Sequence, residues 1–417
     1  MDFMKKPLTV KTLEEAKSEF SKYWEPSVKK EMISIDDAAG RVLAESVESK
    51  IDLPPFDRSV YDGFAVKAED TFGAEEDDPE ELVLKGAIHA GEKPKVRVDE
   101  GTCVEIATGA LLPEGANAVV MVEDTTEIDE NIQIRRAVSP GENISKKGTE
   151  IQEGEIIAEE KQKITPQIHG ALSAVGIQEV KVVKKPHIAV ISTGEELIEP
   201  NQELGPGQIY DVNGKTICDA VNLCGCEASY LGIVKDDISK IKKLIKNALT
   251  SYEVVITSGG SSAGSKDIVP EVIDSLGKPG VIVHGLAQKP GKPTVVSVID
   301  GKPVFGLPGY PVSALMVFDQ LVAPYLREMT AVSESDKKDV QAKLSRKILS
   351  ARGRRELSPV KVFEKEGELV AQPLLKGSGA ITSLVKADGY IEISLGREIL
   401  EKNELVKVRL FGEDSFD

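Results

Sequence analysis

Residues Glu253–Ile273 read EVVITSGGSSAGSKDIVPEVI. A short apolar run ends in a glycine- and serine-rich loop, and a helix-forming segment follows. Strand, permissive loop and helix in that order are the repeating unit of an α/β sheet. From Ser258 to Gly264 the loop offers backbone N–H groups with little side-chain obstruction, which suits an anion at a helix start. No Lys-Ser or Lys-Thr pair closes it, so it is not a Walker A loop. Asp267 stands where the helix should begin. A carboxylate there suits either a helix N-cap or a magnesium ligand, and spacing leaves both roles open.

The same rhythm extends outward from this stretch. IAVIST (Ile188–Thr193) reads as a buried strand, Asn213–Leu223 as a helix and ASYLGIV as a strand. Asp237–Leu249 is amphipathic, with apolar Ile238, Ile241, Leu244, Ile245 and Ala248 at helical spacing. VIVHGLA, TVVSVI and PVFGL are further strands, and Pro311–Leu326 is a long apolar helix. The alternation predicts a doubly wound, mostly parallel sheet over residues 185–330, with ligands at the carboxyl ends of its strands. Those ends carry Glu196, Asp236, the loop Ser258-Gly259-Gly260, Asp267, Lys289 and Lys292 of QKPGKP, and Pro308 and Pro311 of LPGYP. Carboxylates beside a phosphate cradle suit Mg²⁺, and lysines offset anionic charge. Asp236 or Asp237 would equally cap the next helix.

Around this core the pattern changes. Residues 1–48 read as helical and extended, with helices expected over Val10–Tyr23 and Ser34–Val47. Residues 49–143 read as a small inserted domain, mostly β. Residues 144–184 return to the first domain, with a short helix at Thr165–Val175. Residues 331–417 read as a C-terminal, barrel-like β domain. In the inserted domain, LPPFDRSVYDGFAV (Leu53–Val66) gathers Asp57, Arg58, Ser59 and Asp62 in one loop, and Thr108-Gly109 directly follows a strand.

Composition narrows the function. The chain has 417 residues and a net charge of −17, which disfavours general nucleic-acid binding. No apolar run is long enough to span a membrane, and the N-terminus lacks the apolar segment of a signal peptide. A cytoplasmic location with reduced thiols is expected for Cys103, Cys218, Cys224 and Cys226. Cys224-Gly225-Cys226 lacks a second close pair, so buried small hydrophobes are the better reading than a metal site.

LPPFDRSVYDGFAV, IATGALLPEGANAVVMVED, ISTGEEL, GQIYDVNG, SGGSSAGSKD, KPGKP and GLPGYPVSA occur in this order. Together they resemble the molybdopterin molybdenumtransferase family, which includes MoeA and the E domains of gephyrin and Cnx1. The resemblance spans nearly the whole chain. It implies four domains, the third adenylyltransferase-like, and an elongated homodimer whose sites join domain III of one subunit to domain II of the other. It also implies Mg²⁺-dependent hydrolysis of adenylylated molybdopterin, with insertion of molybdate (or tungstate) into the dithiolene and release of AMP.

By the same resemblance Asp62, Glu196, Asp236 and Asp267 are catalytic, with Asp236 and Asp267 holding the metal. Thr108, Ser258, Gly259, Gly260, Lys289, Lys292, Pro308 and Pro311 bind substrate, while Arg354 and Ser378 resemble a molybdate site. Molybdopterin adenylyltransferase and molybdoenzyme apoproteins are the implied protein partners. Four features depart from the pattern: Tyr310 replaces a common asparagine, Ser261 a valine and Ser265 a glutamate, and Ser145-Lys146-Lys147 stands where an arginine-rich run is common. Molybdate and tungstate share charge and nearly share size, so the choice between them is open. The competing readings are a molybdopterin adenylyltransferase and a non-enzymatic carrier or scaffold.

Overall fold

Thr12 shows how local chemistry starts the first helix. Its side chain accepts from the Glu15 N–H, and Glu15 returns a bond to the Thr12 N–H, a reciprocal capping box. The helix, α1, spans Leu13–Phe20 and buries Leu13, Ala16 and Phe20. The computed structural model describes residues 10–260, 268–332, 339–350, 353–374 and 381–411. These form two units, one combining residues up to Lys30 with those from Val183 onward, the other covering Glu31–Val182.

In the first unit the expected alternation is present. The elements run β1 (His187–Thr193), α2 (Asn213–Leu223), β2 (Glu227–Val234), α3 (Ile238–Ser251), β3 (Val254–Ser258), α4 (Val269–Asp274), β4 (Pro279–His284), β5 (Val295–Ile299), β6 (Lys302–Leu307) and α5 (Pro311–Val317). The strand order is 2-1-3-6-5-4. Pairings β1–β2, β1–β3 and β3–β6 are parallel, whereas β5 is antiparallel to both β6 and β4. Only β5 therefore runs against the rest, and the sheet is mostly parallel. Apolar clusters cover both faces, as a doubly wound sheet requires. Phe20 of α1 joins one of them, 5.4 Å from the Phe305 ring.

The long C-terminal helix expected over Pro311–Leu326 is interrupted. After α5 a π-turn covers Phe318–Val322 before helix resumes at Ala323–Thr330. Beyond it, strands Asp339–Leu344, Arg355–Lys365, Glu368–Pro373, Gly389–Ile393 and Leu405–Leu410 pair in a closed ring, because Arg355–Lys365 bonds both Glu368–Pro373 and Gly389–Ile393. The expected barrel-like domain is thus a small closed barrel with its own apolar core.

The second unit holds a six-stranded sheet in spatial order Ala118–Met121, Gly63–Val66, Thr102–Ile106, Glu80–Ile88, Asn131–Ile134 and Thr125–Ile128. Separate apolar clusters pack on its two faces. Beside it, Lys30–Ser34 pairs with Glu179–Val183, and a helix covers Pro166–Ala174.

One sequence expectation is overturned in this unit. Ser34–Val47 is not a helix. Ser34 does cap, accepting from Asp36 N–H at 3.3 Å, but only a 3₁₀ turn, Ile35–Asp37, follows. Gly40 takes φ +74°, and Val42 and Leu43 then bridge to Lys163 and Val182. Extended pairing with distant residues outweighs the local helical pattern.

Candidate functional site

The sheet order places the crevice. The chain leaves β1 for β2 on one side and returns to β3 on the other, so the strand order reverses between β1 and β3. Ligands in doubly wound sheets bind outside the carboxyl ends at such a switch point. Thr193 ends β1 and Ser258 ends β3.

The loop after Ser258 is built for close backbone approach. Gly259 has φ +96°, and a Cβ there would lie 2.1 Å from the Thr193 carbonyl oxygen. Gly260 has φ +58°, and its Cβ would meet Val269 at 2.6 Å. Only glycine satisfies both the dihedral and the space. On the other side of β3, a Cβ on Gly309 would lie 3.6 Å from Gly259 Cα, so the loops after β3 and β6 run side by side. Pro308 is buried, while Pro311 opens α5 at a position where a missing N–H costs little.

Glu196, Asp236, Lys289 and Lys292 follow β1, β2 and β4, whose carboxyl ends share this rim. Glu196 is exposed and folds back toward Gly194, while Asp236 is half-buried. The loops after β1 and β2 are tied together. Asp236 N–H donates to Glu195 Oε1 at 3.1 Å, and Lys235 Nζ donates to the Glu195 and Leu197 carbonyls at 2.6 and 2.8 Å. Asp237, not Asp236, caps α3, accepting from Lys240 N–H at 3.0 Å. Asp236 is thereby relieved of the capping role. Lys289 Nζ sits 3.0 Å from Glu356 Oε1, and Gln288–Lys289 pairs with the barrel strand starting at Arg355. The rim loop and the barrel are joined there, with exposed Arg354 immediately before the strand. Asp267 and Ser378 lie outside the described residues. Among the described residues no three His, Cys, Asp or Glu side chains converge as a metal cluster.

In the second unit Asp62 and Thr108 meet. Asp62 Oδ1 accepts from the Thr108 N–H at 2.7 Å and from its hydroxyl at 3.1 Å. Asp62 also lines a cavity of about 130 Å³ with His89, Glu105 and Val122. Asp57, Arg58 and Ser59 of the same stretch are used internally: Asp57 accepts from Lys147 N–H, Arg58 pairs with Glu150, and Ser59 donates to the Tyr61 carbonyl.

Sequence reading passed over two buried residues beneath the rim, Asp211 and Asn213. Asp211 accepts from the Ser192 hydroxyl at 2.7 Å, the Tyr230 hydroxyl at 2.6 Å and the Gly214 N–H at 3.2 Å. Burial, reinforced by the adjacent Asp211, raises the Tyr230 hydroxyl above its ordinary pKa, so it remains a donor. Asn213 donates to Ser258 and Gly309. An Asp-x-Asn triplet leading into a helix was the available signal. A capping role explains it equally well, so the triplet alone does not reveal burial.

A doubly wound sheet with a glycine loop at its switch point, a β domain inserted before it and a small barrel after it defines a multidomain α/β protein with a ligand-binding crevice. Its relatives agree over the whole length. The family description MoeA N-terminal region (domain I and II) matches residues 11–176, the probable molybdopterin binding domain matches 189–328, and the MoeA C-terminal region (domain IV) matches 341–411. A putative molybdopterin biosynthesis protein of Methanocaldococcus jannaschii is 36% identical, covering 98% of this chain and 100% of that one. A molybdopterin molybdenumtransferase of Staphylococcus epidermidis is 32% identical, covering 94% and 93%. The crystal structure of a MoeA molybdopterin biosynthesis protein from Pyrococcus horikoshii matches with TM-score 0.83 and 43% identity, covering 97% and 99%. The chain belongs to the MoeA family of molybdopterin molybdenumtransferases, enzymes of molybdenum cofactor biosynthesis. No helix among its described residues is long and apolar enough to cross a membrane.

Proposed function

We propose that this enzyme hydrolyses the phosphoanhydride of adenylylated molybdopterin and inserts molybdate, or tungstate, between the dithiolene sulfurs. AMP and the molybdenum cofactor are the products. The observation that carries this reading is the switch-point rim, where the Gly259–Gly260 and Pro308–Gly309 loops lie side by side at the carboxyl ends of β3 and β6.

Gly259 and Gly260 admit phosphate oxygens close to the backbone. Lys289 and Lys292 offset their charge, and Arg354 with Ser378 holds the oxyanion. Asp236 and Glu196 offer oxygen donors, the chemistry a hard cation prefers. Asp236 with Asp267 would hold Mg²⁺, which when bound neutralises phosphate charge. In hydrolysis, water adds to phosphorus, the anhydride P–O bond breaks and AMP departs. Where Asp267 is not a metal ligand, it would instead orient that water and take its proton. Asp62, held by Thr108, would serve the rim of a neighbouring subunit in a homodimer. The protein partners in this reading are a molybdopterin adenylyltransferase upstream and apo-molybdoenzymes downstream, in the cytoplasm.

The test is AMP release from adenylylated molybdopterin with Mg²⁺ and no oxyanion, molybdate or tungstate. Oxyanion-dependent release is expected, with the better anion identifying the metal. Asp62→Asn and Asp267→Asn should each lose about 10²-fold or more in turnover. Tight substrate binding without release would instead indicate a carrier. Full turnover by Asp267→Asn would remove that residue from the catalytic set.

A further inference from the structure

Beneath the rim, the start of α2 is fixed by a buried carboxylate. Val212 supplies no side-chain cap, but Asp211, 5% exposed, accepts from the Gly214 N–H and is itself held by Ser192 and Tyr230. This brace sets the position of Asn213, the first residue of α2 and 7% exposed. Asn213 Nδ2 donates to Ser258 Oγ at 2.8 Å and to the Gly309 carbonyl at 2.7 Å. The carbonyl is an acceptor only, so the amide orientation is determined: nitrogen faces Gly309 and oxygen faces away. Asn213 Oδ1 is buried with no hydrogen-bond partner. Buried acceptors in native proteins are nearly always met, and an exception calls for a cause.

We propose that Asn213 Oδ1 is a recognition contact for a ring-bound amino group of the substrate. The proposal rests on the reading that the rim binds adenylylated molybdopterin. The phosphoanhydride oxygens of the substrate carry no hydrogens at neutral pH, so this oxygen repels the anionic part of that ligand. It accepts instead from a nitrogen donor on a planar heterocycle. Both ends of the substrate carry such a group, one on adenine and one on the pterin. The acceptor is closed off in the free chain, so small adjustments at Ser258 and Gly309 accompany its engagement. Asn213 thus couples loop position to recognition through one amide: its nitrogen holds the two loops and its oxygen, turned away from them, takes the ligand's donor.

The test compares matched ligands on the full chain by calorimetry. One series is AMP against purine riboside 5′-monophosphate, which lacks the 6-amino group. The other is a pterin against the corresponding lumazine, in which an oxo group replaces the 2-amino group. Wild type should prefer the amino-bearing member of one series by about 10-fold, within the range of a single hydrogen bond. That series identifies the source of the donor. In Asn213→Ala the preference should fall to about 2-fold or less. Structural damage weakens both ligands of a pair together and leaves their ratio intact, so only a direct contact removes it. Where Asn213→Ala does not fold, Asn213→Ser, whose hydroxyl is shorter, replaces it. An unchanged ratio in the variant, no preference in wild type, or no binding in either series overturns the proposal. Oxyanion-dependent AMP release by wild type, measured separately, shows whether the underlying reading stands when this contact fails.

Discussion

Gly259 concentrates the most constraint in the smallest space. Its dihedral is left-handed, and a Cβ would lie 2.1 Å from backbone oxygen, not from a side chain that can turn aside. Gly259→Ala must therefore shift β1 or β3 at the crevice. A loss of about 2 kcal/mol or more is expected, beyond the usual cost of a strained φ alone. Thermal unfolding checks it. Gly91→Ala is the control, since its φ is +82° but nothing lies within 4 Å of the added Cβ; it should lose only the dihedral cost. The sequence announced the glycine loop as a close-approach turn but not which glycine was indispensable, because that depends on Thr193, a residue distant in the chain. Asp62 and Thr108 were likewise visible as candidates. That they bond each other, across 46 positions, follows only from the sheet that pairs Gly63 with Ile106.

At the scale of elements, legibility followed the range of the interactions. α2 and β1 were readable because their apolar periodicity is local and agrees with their burial. The 34–47 segment misled because its cap is real while its pairing partners, near residues 163 and 182, lie far away. The π-turn at Phe318–Val322 left no mark either. It places Gln320 where its amide bonds both Arg355 and the Tyr390 hydroxyl of the barrel, so tertiary contacts reward the irregularity. Two predictions belong here. Tyr230→Phe keeps the ring, with Lys215 Nζ 4.6 Å from its centroid, and deletes only the hydroxyl that serves Asp211. The melting temperature should fall by about 2–6 °C, consistent with about 1–2 kcal/mol for a lost bond to a buried carboxylate. The second concerns Glu253, just before β3. Burial opposes its ionisation, but the His187 N–H and Lys29 outweigh this and hold its pKa below the ordinary 4.5. A depressed folded-state pKa stabilises above the unfolded value and is lost as pH falls through the folded one. Glu253→Gln should thus be less stable than wild type at pH 7, and the difference should shrink below about pH 4.

For the whole molecule, the mismatch between net charge and ligand charge decides how the substrate arrives. The chain carries −17, and the proposed substrate and oxyanion are both anions. At long range the protein repels them; in the proposed site Lys292 and the loop amides would attract at short range. Lys289 contributes less to that attraction, because Glu356 lies 3.0 Å from its ammonium. Salt screens the distant charges first, with a Debye length of about 10 Å at 0.1 M. Raising ionic strength from about 0.01 to 0.15 M should therefore increase kcat/KM for the adenylylated substrate, opposite to the usual behaviour of a basic site. Lys292→Ala should lower kcat/KM at every salt concentration and steepen its rise, since repulsion is then less opposed. Stopped-flow binding at varied salt separates the association rate from chemistry. A decrease with salt in wild type would mean that the rim's own positive field reaches further than the global charge. The lysines would then steer the ligand as well as hold it.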